Sequence, residues 1–149
     1  MQLTYFTDYS LRVLIHLGLH PKARVTIHEI ASTYAISQSH LKKVVNGLAT
    51  LQYIKTIRGK GGGMGLAVSP DKIVIGKVVR ATEGNMDIAE CFDPQKQSCA
   101  LFSSCNLKGV LLNARESFLN VLDQYTLADL LMNENKNTRT PQLVKLSIK

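Results

Sequence analysis

Residues 26–51 hold two short amphipathic segments only three residues apart, and few architectures accommodate that arrangement. Thr26-Ile27-His28-Glu29 has the form of a capping box, in which the threonine hydroxyl accepts from the amide three residues on and the glutamate reaches back. The helix it opens runs to about Tyr34. After Ala35-Ile36, Ser37 offers a second N-cap. Leu41, Val44, Val45, Leu48 and Leu51 then recur at i, i+3, i+4, i+7 and i+10, one apolar stripe of a 3.6-residue helix. Two helices joined by a three-residue turn have helix-turn-helix spacing. At 100° per residue the second helix gathers Ser39, Lys42, Lys43, Asn46 and Thr50 on the side away from its apolar stripe.

Charge falls on the same stretch. No acid occurs between Glu29 and Asp71, whereas Lys42, Lys43, Lys55, Arg58 and Lys60 all lie there, in a chain of 149 residues with net charge +7. Such a field favours a polyanion. Residues 53–68 then change period: Tyr53-Ile54-Lys55-Thr56-Ile57-Arg58 and Leu66-Ala67-Val68 read as short strands around Gly59-Lys60-Gly61-Gly62-Gly63-Met64-Gly65. A hairpin with a basic, glycine-rich tip beside a reading helix is a wing, and Arg58 and Lys60 at its tip can bind phosphates or enter a minor groove. Lysine, serine and asparagine suit the donor and acceptor pattern of a major groove, and the first helical residues add Ser37, Gln38 and His40 to the readers. The expected partner is double-stranded operator DNA. A nucleotide-binding loop fails on spacing, since G-x-G-x-x-G requires glycine where Met64, Leu66 or Val68 stand, and no enzyme activity is expected.

The predicted architecture is mainly helical with a small hairpin. Leu11, Leu14, Ile15 and Leu19 mark a first helix over roughly 8–20, ended by Pro21. Ser69-Pro70 opens a helix that continues to Thr82 and stops at Gly84. Residues 85–106 have little periodicity. From Leu107 a heptad seam of Leu107, Leu111, Ala114, Phe118, Val121 and Tyr125 predicts a long helix that pairs with its twin in a homodimer. Thr126 caps a short last helix to about Met132. The expected organisation is a winged helix-turn-helix unit over 1–84, a cysteine-bearing cluster loop over 85–106, a dimerisation helix and a short last helix over 107–132, and a mobile tail over 133–149. No window approaches 18 apolar residues, so no membrane span is expected. The N-terminal residues lack the basic start and apolar run of a secretory signal, and the expected location is the cytoplasm.

All three cysteines, Cys91, Cys99 and Cys105, fall in the irregular segment. Its C-x₇-C-x₅-C spacing has no short pair of the kind structural zinc uses. Thiolates in a polar loop suit an iron–sulfur cluster better, with the fourth position filled by another residue type. Zinc, a thiol redox switch and a chance grouping stay open from spacing alone. His16 and His20 are four apart and read as packing residues rather than metal ligands.

Leu3-Thr4-Tyr5-Phe6-Thr7-Asp8-Tyr9-Ser10-Leu11-Arg12, the segment from Ile30-Ala31 through Ser39-His40-Leu41-Lys42-Lys43-Val44-Val45, the wing Arg58-Gly59-Lys60-Gly61-Gly62-Gly63 and the three-cysteine loop together resemble the NsrR repressors. These are nitric-oxide sensors in the winged-helix group that includes the IscR regulators. The resemblance spans about residues 1–131. It implies a homodimeric repressor with a [4Fe–4S] cluster held by Cys91, Cys99 and Cys105 of one subunit and Asp8 of the partner subunit, and with nitric oxide as signal. In the IscR pattern a histidine three residues after the last cysteine completes the set, and here that position is Lys108, a poor ligand. The other readings are an IscR-like regulator with a [2Fe–2S] cluster, a cluster-free thiol switch and an iron–sulfur electron carrier.

Overall fold

The computed structural model describes residues 2–57, 59, 61–93, 95 and 99–132. Six α-helices and one antiparallel hairpin make up the regular structure of these residues: α1 (Tyr5–Leu19), α2 (Ile27–Tyr34), α3 (Gln38–Thr50), β1 (Ile54–Ile57), β2 (Gly63–Leu66), α4 (Ile75–Thr82), α5 (Asn106–Asp123) and α6 (Leu127–Leu131). The expected class, mainly α with a hairpin wing, is the one observed. The residues of the expected tail, 133–149, lie outside those described.

Helix α1 is the hub. It packs against α3, β2, α4 and α6, and Val13, Leu14 and Leu17 on its inner face are sealed from solvent. One core joins these to Ile30 of α2, to Leu41, Val44, Val45 and Leu48 of α3, and to Leu119 and Leu127 far along the chain. Each such side chain contributes about 1.5–3 kcal/mol when fully buried, so the helix-turn-helix and the C-terminal helices stand or fall together.

The chain departs from the sequence expectation in four places. Helix α1 starts at Tyr5 rather than near residue 8, because Thr4 caps it by accepting from the Thr7 amide. Thr4 also donates its own N–H at 3.0 and 3.2 Å, and its hydroxyl at 3.1 Å, to the carboxylate of buried Glu83, which ties this helix start to the end of α4. Strand β2 is Gly63–Leu66 and not 66–68. It pairs Ile54 with Leu66 and Ile57 with Gly63, and Val25 bridges to Met64 from the other side, so neighbouring backbone recruits glycines that carry no strand propensity of their own.

The expected helix over 69–82 is broken. Pro70–Lys72 form a single 3-10 turn, the chain extends at Ile73 and Val74, and α4 follows. Leu127 donates to the Ile73 carbonyl at 2.8 Å and Ile75 to the Tyr125 carbonyl at 2.9 Å. Those backbone bonds across the Val74–Thr126 bridge replace the helical ones and dock the last helix. Among the described residues between α4 and α5, the one stretch of helical form is a 3-10 turn at Glu90–Phe92.

The heptad seam runs along the edge between the buried and exposed sides of α5, and its last member, Tyr125, lies just beyond the helix. Phe118 and Tyr125 pack on the chain's own core and Leu111 is half-buried, whereas Leu107, Ala114 and Val121 are exposed. Val110 joins the exposed row, so the outward stripe is Leu107, Val110, Ala114 and Val121. A helix that must seat one face against its own domain cannot offer that face to a twin.

Candidate nucleic-acid interface and cysteine loop

Local sequence sets the reading helix. Thr26 accepts from the Glu29 amide, and the Glu29 carboxylate accepts from the Thr26 N–H at 2.6 Å and its hydroxyl at 2.9 Å, completing the box at the start of α2. These bonds hold the Glu29 carboxyl below its usual range. Ala35 closes α2 in a left-handed conformation at φ 52°, buried Ile36 anchors the turn, and Ser37 caps α3 by accepting from the His40 amide at 3.3 Å. Leu41, Val44, Val45 and Leu48 then seat the helix. On the far side Ser37, Gln38, Ser39, His40, Lys42, Lys43, Asn46 and Thr50 are all exposed. The face is continuous and carries no acid.

Several of these side chains are already oriented. The Ser37 and Ser39 hydroxyls lie 3.1 Å apart, and Thr50 donates to the Asn46 carbonyl at 3.0 Å. Gln38 Nε2 is 3.4 Å from Nδ1 of His28, which places a residue of α2 next to the readers. His28 was not among the residues singled out from the sequence; its place two residues into a capped helix sets it beside the outward face of α3. Arg58 and Lys60 of the wing lie outside the described residues; Gly59 and Gly61 beside them have φ of 97° and 76°, values that favour glycine.

Two contacts join α1 to the reading helix. A β-carbon at Gly47 of α3 would come within 2.7 Å of the Phe6 ring, so glycine is what lets the first turn of α1 press against α3. The Tyr9 ring lies 6.3 Å from that of His40, and the Arg12 guanidinium lies 6.0 Å from the Tyr9 ring centre. Arg12 in turn grips Asp8, with Nε 3.1 Å from Oδ1 and Nη2 2.9 Å from Oδ2. The Asp8 side chain stays more than a third exposed.

The three cysteines are free thiols; Cys91 and Cys105 are half-buried and Cys99 is exposed. Cys91 sits in the 3-10 turn and Cys105 is the N-cap residue of α5, without a side-chain bond to the helix. Neither the three cysteines by themselves nor the cysteines with Asp8 form a ligand group here: among the described residues no three His, Cys, Asp or Glu side chains gather to hold a metal ion. Cations of α5 hold the loop by its aromatic rings instead, Lys108 Nζ at 4.0 Å from the Phe102 ring centre and the Arg115 guanidinium at 5.5 Å from that of Phe92. Lys108 thus has a packing role. The Nε of Arg115 is buried and has no acceptor among the described residues.

A capped helix-turn-helix with an acid-free outward face, followed by a hairpin, defines a winged-helix DNA-binding transcriptional regulator. The family model of Rrf2, described as an iron-dependent transcriptional regulator, matches residues 3–133, and the chain belongs to that family. The HTH-type transcriptional regulator NsrR of Geobacillus kaustophilus is 51% identical over 132 residues, 88% of this chain and 90% of that protein. The NsrR of Bacillus subtilis is 50% identical over 135 residues, 90% and 92% of the two chains. Among solved structures, T. potens IscR superposes with a TM-score of 0.70 at 25% identity, over 88% of this chain and 86% of that one. The protein is a regulator and not an enzyme, and no helix among the described residues is long and apolar enough to cross a membrane.

Proposed function

We propose that the chain is a cytoplasmic homodimeric repressor whose grip on operator DNA depends on an iron–sulfur cluster and is released by nitric oxide. The observation that carries this reading is that one chain presents an acid-free outward face on α3 and, apart from it, a loop with three free thiols held by cations of α5, the helix whose Leu119 enters the same core as α3. The donor set fits. Three thiols suit iron, and the Arg115 guanidinium with its unused buried N–H stands against Phe92, the residue next to Cys91, where a cation would balance thiolate charge. Cys91, Cys99 and Cys105 of one subunit with Asp8 of the partner subunit would hold a [4Fe–4S] cluster. When bound, the cluster supplies iron sites open to attack by nitric oxide.

The rest of the mechanism belongs to this chain's residues. Both Asp8 oxygens are held by Arg12, so ligation through one of them would loosen the two-point ion pair and loss of ligation would restore it. Arg12 stacks toward Tyr9, Tyr9 toward His40, and Phe6 fills the space that Gly47 leaves. A shift in the first turns of α1 is therefore transmitted to the start and middle of α3. Two such heads, held by the exposed stripe of α5 in a two-fold dimer, would read half-sites about one DNA turn apart. Changing how the heads are held changes affinity without touching the reading residues.

The test is iron and acid-labile sulfide per chain in protein purified without oxygen, followed by operator binding against added nitric oxide. About four of each, with binding lost as nitric oxide is added, supports the reading. About two of each points to an IscR-like [2Fe–2S] regulator. None after reconstitution, with binding that responds to thiol oxidants, leaves a cluster-free redox switch. Specific operator binding separates all of these from an electron carrier.

A further inference from the structure

We propose that Arg24, in the connection between α1 and α2, positions the wing for DNA; this rests on the reading of the wing as a DNA contact. Arg24 Nη1 donates to the carbonyl of Gly61 at 2.7 Å, across 37 residues of sequence. The next residue, Val25, pairs with β2 in both directions: Met64 N–H to the Val25 carbonyl at 2.8 Å and Val25 N–H to the Met64 carbonyl at 3.3 Å. The connection is thus a third edge of the hairpin. Gly63 lies so close that a β-carbon there would sit 2.9 Å from the Arg24 carbonyl carbon and Cβ and 3.0 Å from its oxygen, whereas Gly65 has open space.

A two-stranded hairpin with strands of four residues is held weakly by its own ladder and is free to rock about its base. Here it is fixed at two further points, Met64 by Val25 and Gly61 by Arg24. Gly61 follows Lys60 in the sequence, and Gly62 donates to the Gly59 carbonyl at 2.9 Å to fold the turn. Among the described residues no carboxylate forms an ion pair with Arg24, so the Gly61 carbonyl has no competitor for its charge-assisted bond. Both residues are exposed, which keeps the bond separate from the core.

The experiment is a double-mutant cycle on the full-length, cluster-loaded protein, with a duplex that the unaltered protein itself enriches from a randomised library. Four proteins are compared: unaltered, Arg24→Ala, the wing variant Arg58→Ala with Lys60→Ala, and the combination. Arg24→Ala is expected to weaken binding about five- to tenfold, and to add less than about twofold once the wing cations are gone, because its effect passes through them. Its thermal midpoint is expected to stay within about 2 °C of the unaltered chain, since the site is exposed. Full additivity would mean that Arg24 touches DNA itself or acts elsewhere, and would overturn the inference while leaving the wing reading intact. Unchanged affinity in Arg24→Ala, or a loss matched by a fall in helix content, would also overturn it. A wing variant that binds normally would remove the wing reading, and the inference with it.

Discussion

Lys43 stands on the outward face of α3, and the sequence around it contains no acid that could neutralise it. A lysine that neutralises one phosphate releases condensed counterions, so its removal leaves a signature in salt dependence as well as in affinity. Lys43→Ala is expected to weaken operator binding and to flatten the plot of log affinity against log salt by about 0.9. A titration of binding against salt checks this, and an unchanged slope would take Lys43 off the interface. His16 offers a separate test on the fold. It is buried between α1 and α2, stacked on His20 at 4.6 Å between ring centres and edge-on to Tyr34 at 5.6 Å. Burial foremost, then repulsion from His20, lowers its pKa from 6.5, and Glu29 opposes the shift only in part. The folded state therefore holds fewer protons than the unfolded chain below pH 6.5, so this contribution to stability is present above that value and is lost as pH falls through the folded pKa. Thermal midpoints measured from pH 7 down to pH 5 should decline less in His16→Phe than in the unaltered chain. Equal declines would place the proton uptake elsewhere. The outward residues of α3 were legible because helical periodicity alone fixes which side they occupy. The part His28 plays depends on how two helices meet, and periodicity within one helix carries no such information.

Among the elements, α2 and α3 were the most legible, because cap, turn and apolar stripe all gave the same answer. The stretch 69–82 was not, because its helical propensity is overridden by backbone bonds to residues 125 and 127 that no local signal announces. β2 was displaced for the same reason: Val25, almost forty residues earlier, selects which glycines pair. α5 shows a third kind of limit. Its heptad period was read correctly as a helix, but two apolar rows run along it, and sequence does not say which one faces home. The exposed row gives a prediction that belongs to this helix. Val110 and Val121 are 62% and 51% exposed, so charging them should leave the monomer's core untouched. Val110→Glu with Val121→Glu is expected to sediment as a single chain of 16.5 kDa with unchanged helix content, and the unaltered protein, as the proposed dimer, at twice that mass. A variant that remains dimeric would move the subunit interface off this row.

At the scale of the whole molecule, the cysteine loop and Asp8 belong to one chain but are not assembled there, since the Asp8 carboxylate is engaged by Arg12 and no metal-holding group forms among the described residues. The proposed sharing of a cluster between subunits has a consequence that within-chain ligation does not share. In a heterodimer of an Asp8→Ala chain with a Cys99→Ala chain, cross-subunit ligation leaves one site intact: the three cysteines of the first chain meet the unaltered Asp8 of the second. The other site collects both defects. If each chain held its own cluster, both sites would be damaged. Heterodimers isolated through two different affinity tags should therefore carry about half the iron and sulfide of the unaltered dimer, with either homodimer near zero if Asp8 is essential for retention. The measurement also bears on repression. A dimer with a single site keeps one α1 ligated through Asp8, while the other, from the Asp8→Ala chain, has neither the ligand bond nor the ion pair with Arg12. The operator affinity of this dimer should fall between those of the fully loaded and empty forms if each head is set by its own position 8. Operator binding equal to the empty form would mean that the two heads switch only together, through the α5 interface that holds them in register.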